Sequence, residues 1–211
     1  MSAKPFTVFY KGLMAGVMIG IGATVYLSLH ESRIAGSFLF AIGLLSIFLY
    51  GFNLFTGKVG FAVVRKPIFI AELGLIWIGN LCGTWLVGTV LSFTRVFPSL
   101  HEAAAKICTA KLSDSMISLF CLAIFCGMLM FLAADRFQTA TDPVSKYLVV
   151  FLPVMVFILS GFEHCVANMY YFTVAECWSV DALVRMIVMT LGNSCGALFL
   201  SFTQKKLGAL K

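Results

Sequence analysis

The chain has 211 residues, of which 61% are hydrophobic and only 11% are charged. A soluble domain of this size needs a far more polar surface, so the composition excludes soluble enzymes and soluble binding modules and predicts an integral membrane protein. The net charge of +6 does not indicate nucleic-acid binding, because the basic residues cluster at the ends of apolar segments, as residues that set membrane orientation do.

Apolar segments of about 18 residues or more, each long enough to cross a bilayer, follow one another along the chain. There are six, and they cover approximately residues 13–29, 34–64, 68–93, 116–134, 147–171 and 182–202. The second is so long that it fits as one crossing only if the stretch 53–57 interrupts it. Residues 94–114, between the third and fourth segments, predict a short surface helix or loop.

The distribution of lysine and arginine sets the expected orientation. With a cytoplasmic N-terminus, ten basic residues lie inside and five outside, which predicts a multi-pass protein of the cell membrane with both termini cytoplasmic. The inner set is Lys4, Lys11, Lys58, Arg65, Lys66, Arg136, Lys146, Lys205, Lys206 and Lys211, and the outer set is Arg33, Arg95, Lys106, Lys111 and Arg185.

The fifth segment carries an acid, a histidine and an asparagine at its centre, in the stretch Gly161-Phe162-Glu163-His164-Cys165-Val166-Ala167-Asn168-Met169. Hydrocarbon excludes such side chains, so we expect a broken helix whose polar groups face other protein or a water-filled cavity. The second segment repeats the pattern in Gly51-Phe52-Asn53-Leu54-Phe55-Thr56-Gly57. Two interrupted helices at matching positions point to the central site of a transporter.

The two halves of the chain also share a second motif. The third segment contains Gly79-Asn80-Leu81-Cys82-Gly83, and the sixth contains Gly192-Asn193-Ser194-Cys195-Gly196. Since each half has three crossings, we predict a single transmembrane domain, 1–211, with inverted repeats at about 11–97 and 111–203. Half-helices that start after Gly57 and after His164 then meet near the midplane, where their unpaired N–H groups favour an anion.

Together these motifs resemble the formate/nitrite transporter family, which also includes hydrosulfide channels. The resemblance rests on Gly161-Phe162-Glu163-His164, Ala167-Asn168-Met169, Leu54-Phe55-Thr56-Gly57 and the two Gly-Asn-x-Cys-Gly motifs, and it spans Lys11 to Phe202. It implies an all-α, aquaporin-like membrane protein. It further implies six transmembrane helices in two inverted three-helix repeats with helices 2 and 5 broken, a homopentamer, and one pore in each protomer.

The resemblance also implies roles for individual residues. His164 resembles the central pore histidine of the family, Thr56 the threonine that faces it, and Lys111 a vestibule lysine whose counterpart in the other half is Lys11. Asn168 is expected beside the pore. Positions like those of the two hydrophobic constrictions are occupied by Phe40, Leu44, Leu54, Phe55 and Phe157, with Met130 close by.

Two further residues near the predicted pore are expected to act structurally. Glu163 is expected to satisfy N–H groups of the loop rather than to carry protons. Gly127 stands where the family often has an asparagine, so the resemblance implies that a hydrogen-bond donor beside His164 has been lost.

Plainer interpretations of these residues stay open at this stage. His164 is also compatible with a core histidine bonded to a backbone carbonyl, and Thr56 with a hydroxyl that bonds a freed backbone group. Lys11 and Lys111 are compatible with interfacial lysines that extend to the lipid headgroups.

The expected function is transport of small monovalent anions or their conjugate acids, with formate first and hydrosulfide or nitrite as alternatives. A bare anion in a hydrocarbon-lined constriction carries an ideal Born penalty of about 20 kcal/mol, of which several kcal/mol remain after relaxation. Protonating a small carboxylate of pKa about 4 at pH 7 costs roughly 4 kcal/mol, so passage as the neutral acid is competitive. We expect the anion to take a proton from water or from His164 and to cross as the neutral acid. His164 is expected to be neutral in an empty pore and easier to protonate beside an anion.

Functions of other classes have weaker support from the sequence. A membrane metal or redox enzyme would use Glu163, His164 and Cys165, but adjacent helical residues point in different directions, and His30 and His101 lie near segment ends. A water or glycerol channel is disfavoured because the breaks lack Asn-Pro-Ala. We therefore predict no catalytic residue, metal, cofactor or nucleic-acid partner; the predicted partners are the anion, a proton, the lipid bilayer and further copies of the chain.

Overall fold

The computed structural model describes residues 4–209, so Lys211 of the orientation count lies outside it. The described part is built from nine α-helices and one 3₁₀ segment. The helices are α1 (Pro5–Ser28), α2 (Arg33–Tyr50), α3 (Phe55–Lys58), α4 (Ile68–Ser92), α5 (Phe97–Ser113), α6 (Met116–Thr139), α7 (Pro143–Leu159), α8 (Cys165–Val174) and α9 (Val180–Lys206), and the 3₁₀ segment is Val59–Val63.

The long apolar segments form long helices. By length and composition α1, α2, α4, α6 and α9 are each able to cross a membrane, and α7 is a shorter apolar helix of 17 residues. The predicted short helix or loop after the third segment is a helix, α5, with the buried residues Leu100, Ala104 and Cys108 on one side. These elements confirm the all-helical class.

Both predicted breaks are present. The helix α2 ends at Gly51, whose φ of 65° is the left-handed conformation that glycine adopts without a Cβ clash, and Gly161 has φ 71° at the equivalent place after α7. The short helix α8 follows His164 as predicted. The prediction for the first break is wrong in one respect, because α3 begins at Phe55, before Gly57 rather than after it.

Close helix contacts at glycines join the long helices in pairs. In the contact of α1 with α4, a Cβ on Gly83 would collide with the backbone carbonyl of Leu13. In the contact of α6 with α9, a Cβ on Gly196 would collide with the carbonyl of Ile124 in the same way. Small residues at these positions let two backbones approach closely, which is a main source of attraction between helices in lipid.

We predict that Gly196→Ala lowers the free energy of unfolding by about 1–3 kcal/mol, because α6 and α9 have to separate to admit the methyl group. The matched control is Gly74→Ala in α4, where an added Cβ has no neighbour within 4 Å. That change is expected to be neutral or to stabilise by about 0.5–1 kcal/mol through helix propensity. Unfolding in mixed micelles measures both variants, and equal stabilities would contradict the packing argument.

Candidate functional site

The first helix break is held by the side chain of Asn80, which is fully buried on α4. Its Nδ2 donates to the carbonyls of Gly12 at 2.8 Å and Asn53 at 2.9 Å, and its Oδ1 accepts the N–H of Phe55 at 2.9 Å. One amide thus satisfies the first N–H of α3 and the carbonyl of Asn53, which the break leaves without a helical partner, and it ties the break to the carbonyl of Gly12 within α1. This cap explains why α3 begins at Phe55.

The second break is held in the same way by Asn193, fully buried on α9. Its Nδ2 donates to the carbonyls of Ala123 at 2.8 Å and Glu163 at 2.7 Å, and its Oδ1 accepts the N–H of Cys165 at 2.9 Å. Both asparagines belong to the Gly-Asn-x-Cys-Gly motif that the two halves share, but the motif alone does not predict that they bond the helix breaks. The repetition was the signal available for finding them.

The side chain of His164 joins the two breaks. It is the N-cap of α8: its Nδ1 accepts the backbone N–H of Ala167 at 3.0 Å, while its Nε2 lies 2.9 Å from the hydroxyl oxygen of Thr56. Because Nδ1 accepts a hydrogen bond, the proton of the neutral ring is on Nε2, and Nε2–H donates to Thr56. The first turns of α3 and α8 therefore meet, as predicted, at a pair that is almost completely buried.

Two cavities are lined by residues next to this pair. The His164-side vestibule, about 140 Å³, is lined by Tyr26, Arg33, Ile107, Lys111, Phe157, Ile158, Gly161, Phe162, His164, Ala167, Asn168 and Tyr171. The Leu54-side vestibule, about 450 Å³, is lined by Ile47, Phe48, Gly51, Phe52, Leu54, Gly57, Lys58, Ala134, Phe137, Gln138 and Lys146.

The two vestibules lie toward opposite ends of the same helices. On α2, Arg33 lines the first and Ile47 the second, and the 1.5 Å rise per residue separates them by about 21 Å. On α7, Phe157 lines the first and Lys146 the second, about 16 Å apart by the same measure. The vestibules thus approach the helix breaks from two directions.

Two of the predicted constriction residues, Phe157 and Leu54, lie next to the breaks, and Phe40 packs against Phe157. The ring of Phe157 is 5.8 Å from that of Phe40 and 5.4 Å from the imidazole of His164, measured between centroids. Leu54, the N-cap residue of α3, lines the other vestibule. Leu44 is buried one turn after Phe40 on α2, between the two ends of that helix. Apolar side chains therefore stand on both sides of the Thr56 and His164 pair.

The carboxylate of Glu163 is held by side chains rather than by loop N–H groups, which corrects the expectation. Its Oε2 accepts from the Nζ of Lys111 at 2.5 Å and from the Nδ2 of Asn168 at 2.6 Å. The side chains of Lys111 and Glu163 are only 14% and 6% exposed, so both charges are removed from solvent. Lys111 lines the His164-side vestibule as one half of an ion pair, and its part in attracting the anion stays a prediction.

Comparison with known proteins identifies the family. The sequence profile described as formate/nitrite transporter matches residues 1–205. The chain belongs to this family. This membership, together with the helical fold, confirms the resemblance found from the sequence motifs and makes the chain a membrane protein of the transporter and channel class.

Individual relatives of the formate/nitrite transporter family agree with this membership. The formate channel FocA of Haemophilus influenzae is 23% identical, over 92% of this chain and 83% of that protein. The formate channel FocB of Escherichia coli is 26% identical, over 78% of this chain but only 64% of that protein. A solved pentameric formate channel with formate bound superposes with a TM-score of 0.85, at 25% identity and 98% coverage of both chains.

Other predicted site residues lie elsewhere than the family resemblance implied. Phe55 lines a different cavity, between α4 and α9, together with Trp77 and Thr190. The inference that Gly127 removes a donor beside His164 is wrong, because a Cβ at Gly127 would collide with the backbone of α9. Met130 is buried on α6, and its place in a constriction stays a prediction.

The vestibule cations also differ from those expected. The side chain of Lys11 is exposed at the start of α1, and only its backbone carbonyl reaches the break, where it accepts the N–H of Asn53 at 3.1 Å. The lysines that line the Leu54-side vestibule are Lys58 and Lys146, and Arg33 lines the other vestibule. From the sequence, these three residues are predicted only to set the membrane orientation.

Across residues 4–209, no group of three or more histidine, cysteine, aspartate or glutamate side chains is arranged to hold a metal ion. Both ring nitrogens of His164 are hydrogen-bonded, Nε2 to Thr56 and Nδ1 to Ala167, so neither is available as a metal ligand while these bonds are present.

Proposed function

We propose that the chain forms a channel or transporter for small monovalent anions or their conjugate acids, with formate as the first substrate and hydrosulfide or nitrite as alternatives. The observation that carries this proposal is the hydrogen bond between Thr56 and His164, which joins the starts of two short helices beside two vestibules. Family membership and the formate-channel relatives support the same class of substrate.

The proposed route changes in polarity along its length. Basic side chains in the vestibules attract the anion, and the amide-rich starts of the helices favour negative charge near the pair. The apolar side chains of Phe40, Phe157 and Leu54 then oppose a bare ion, with several kcal/mol of residual desolvation cost against roughly 4 kcal/mol for protonation at pH 7. The solute therefore passes these side chains as the neutral acid.

The bonding of His164 defines its part in the protonation. Its Nδ1 accepts the N–H of Ala167, so a second proton on the ring requires that this helix cap opens. The Nε2–H donates to Thr56, which leaves the Thr56 hydroxyl hydrogen free to bond an anion. We assign vestibule water as the proton source and the Thr56 and His164 pair as the donors that hold the anion while it is protonated.

We propose a homopentamer in the cell membrane with both termini cytoplasmic, each protomer being one domain with inverted repeats at about 11–97 and 111–203. The pentameric assembly of the similar solved channel supports the oligomer. The matching hydrogen bonds of Asn80 and Asn193 support the repeats, since each asparagine bonds the start of a short helix and two backbone carbonyls.

Purified protein in proteoliposomes is expected to take up labelled formate faster than protein-free liposomes. Between about pH 7.5 and pH 5.5 the rate should rise by up to about tenfold per pH unit, because the neutral acid becomes more abundant. Parallel assays with nitrite and hydrosulfide rank the substrates, and liposome shrinkage in glycerol tests a neutral-solute channel. Formate flux equal to that of protein-free liposomes would refute the proposal.

A further inference from the structure

The Leu54-side vestibule contains two lysines that come from different halves of the chain. Lys58 is the last residue of α3 and is half-buried, and Lys146 lies in the first turn of α7. Both side chains line the same cavity of about 450 Å³, whose other wall residues are mostly apolar and include Leu54. The lysines therefore stand at the approach to the first break.

Neither ammonium group is neutralised within the part of the chain that the structure describes. Between residues 4 and 209 the ion pairs join Lys106 to Glu102, Lys111 to Glu163, Arg136 to Asp135 and Arg185 to Asp181. The Nζ of Lys146 instead lies 4.7 Å from the ring centroid of Phe137. No carboxylate is among the described residues that line the cavity, so its lining carries net positive charge.

We propose that Lys58 and Lys146 form an anion-binding subsite in the Leu54-side vestibule, which holds a small monovalent anion before it reaches Leu54. That the anion goes on to cross the membrane rests on the proposed function; its binding in the vestibule does not. The two vestibules differ in this respect, because the lysine of the His164-side vestibule is already paired with Glu163, and the guanidinium of Arg33 there donates to the carbonyls of Ile158 and Leu159.

The chemistry of lysine limits what the subsite selects. An ammonium group on a flexible stem acts as a point charge and lacks the forked geometry with which arginine recognises a carboxylate. The subsite therefore concentrates formate, nitrite and hydrosulfide alike. Selectivity among these anions depends on the narrower region around Thr56 and His164.

We expect Lys58→Met to raise the half-saturating formate concentration about threefold to tenfold for flux that enters from the Leu54 side, with the maximal rate unchanged. Lys146→Met should do the same, and nitrite should change by the same factor as formate. Lys106→Met is the matched control, since Lys106 is exposed on α5 and paired with Glu102. A protease-sensitive N-terminal tag reports orientation, because the carbonyl of Lys11, near the start of α1, accepts the N–H of Asn53 at the first break, so the tag and the Leu54-side vestibule lie on the same side.

Acetylation of lysines, followed by mass spectrometry, measures binding without transport. Sodium formate should slow modification of Lys58 and Lys146, relative to sodium gluconate at equal ionic strength, while Lys106 reacts equally in both. Equal protection by the two salts, or unchanged half-saturation in both variants, would overturn the subsite while leaving the proposed function standing. Protection of the two lysines without any formate flux would support the subsite and refute the proposed function.

Discussion

Formate uptake by the His164→Asn variant is expected to fall about 10- to 100-fold below that of the unmodified protein, at every pH tested. Without the imidazole, Thr56 no longer receives the Nε2–H that leaves its own hydroxyl hydrogen free for the anion. Loss of a hydrogen-bond donor to a charged group costs about 1.5–3 kcal/mol, and the anion has few other partners there. Asparagine is among the best N-cap residues, so its side chain can still accept the N–H of Ala167. Uptake of labelled formate into proteoliposomes measures the effect.

The His164→Phe variant separates the role of the ring in transport from its role in the fold. Phenylalanine fills similar space but neither caps α8 nor donates to Thr56, so it should destabilise the protein by about 1 kcal/mol and reduce uptake as strongly. The Asn variant should lose uptake without losing stability. Unchanged uptake with an unchanged pH dependence in both variants would show that the imidazole lies outside the transport step.

The broken helices were the most predictable part of this fold. An acid, a histidine and an asparagine inside an apolar segment have no stable place in an unbroken lipid-facing helix, so the break near His164 followed from the sequence. The pairing of Thr56 with His164, 108 positions apart, came from the family resemblance and is present in the structure. Without the family resemblance, the sequence would have predicted only that Thr56 and His164 are buried polar residues, and not that they contact each other.

What the sequence did not predict depends on contacts between distant segments. The start of α3 is set by Asn80, which lies 25 positions after the N–H that it caps. Gly127 packs against the backbone of α9. A comparison of motifs within α6 gives no information about that contact. Charge counting placed Lys58 and Lys146 on the same side of the membrane but gave no indication that they line one cavity.

The ion pair of Lys111 and Glu163 predicts the largest change in stability. Lys111→Met leaves a carboxylate that is 6% exposed with only the Asn168 amide as its partner, and Glu163→Gln leaves an ammonium group that is 14% exposed with no opposite charge. Removal of one partner of a buried pair costs about 3–5 kcal/mol, because the remaining charge stays desolvated. Each single variant should therefore unfold in mixed micelles at a much lower denaturant concentration.

The double variant Lys111→Met with Glu163→Gln should recover much of this loss, since no uncompensated charge remains and the glutamine oxygen can still accept from Asn168. The exposed pair Lys106 and Glu102 provides the control cycle, with a much smaller expected coupling because solvent screens both charges. Additive losses in the double variant would show that Lys111 and Glu163 act independently. If stability recovers but formate uptake does not, Lys111 contributes charge to the vestibule in addition to neutralising the acid beside His164.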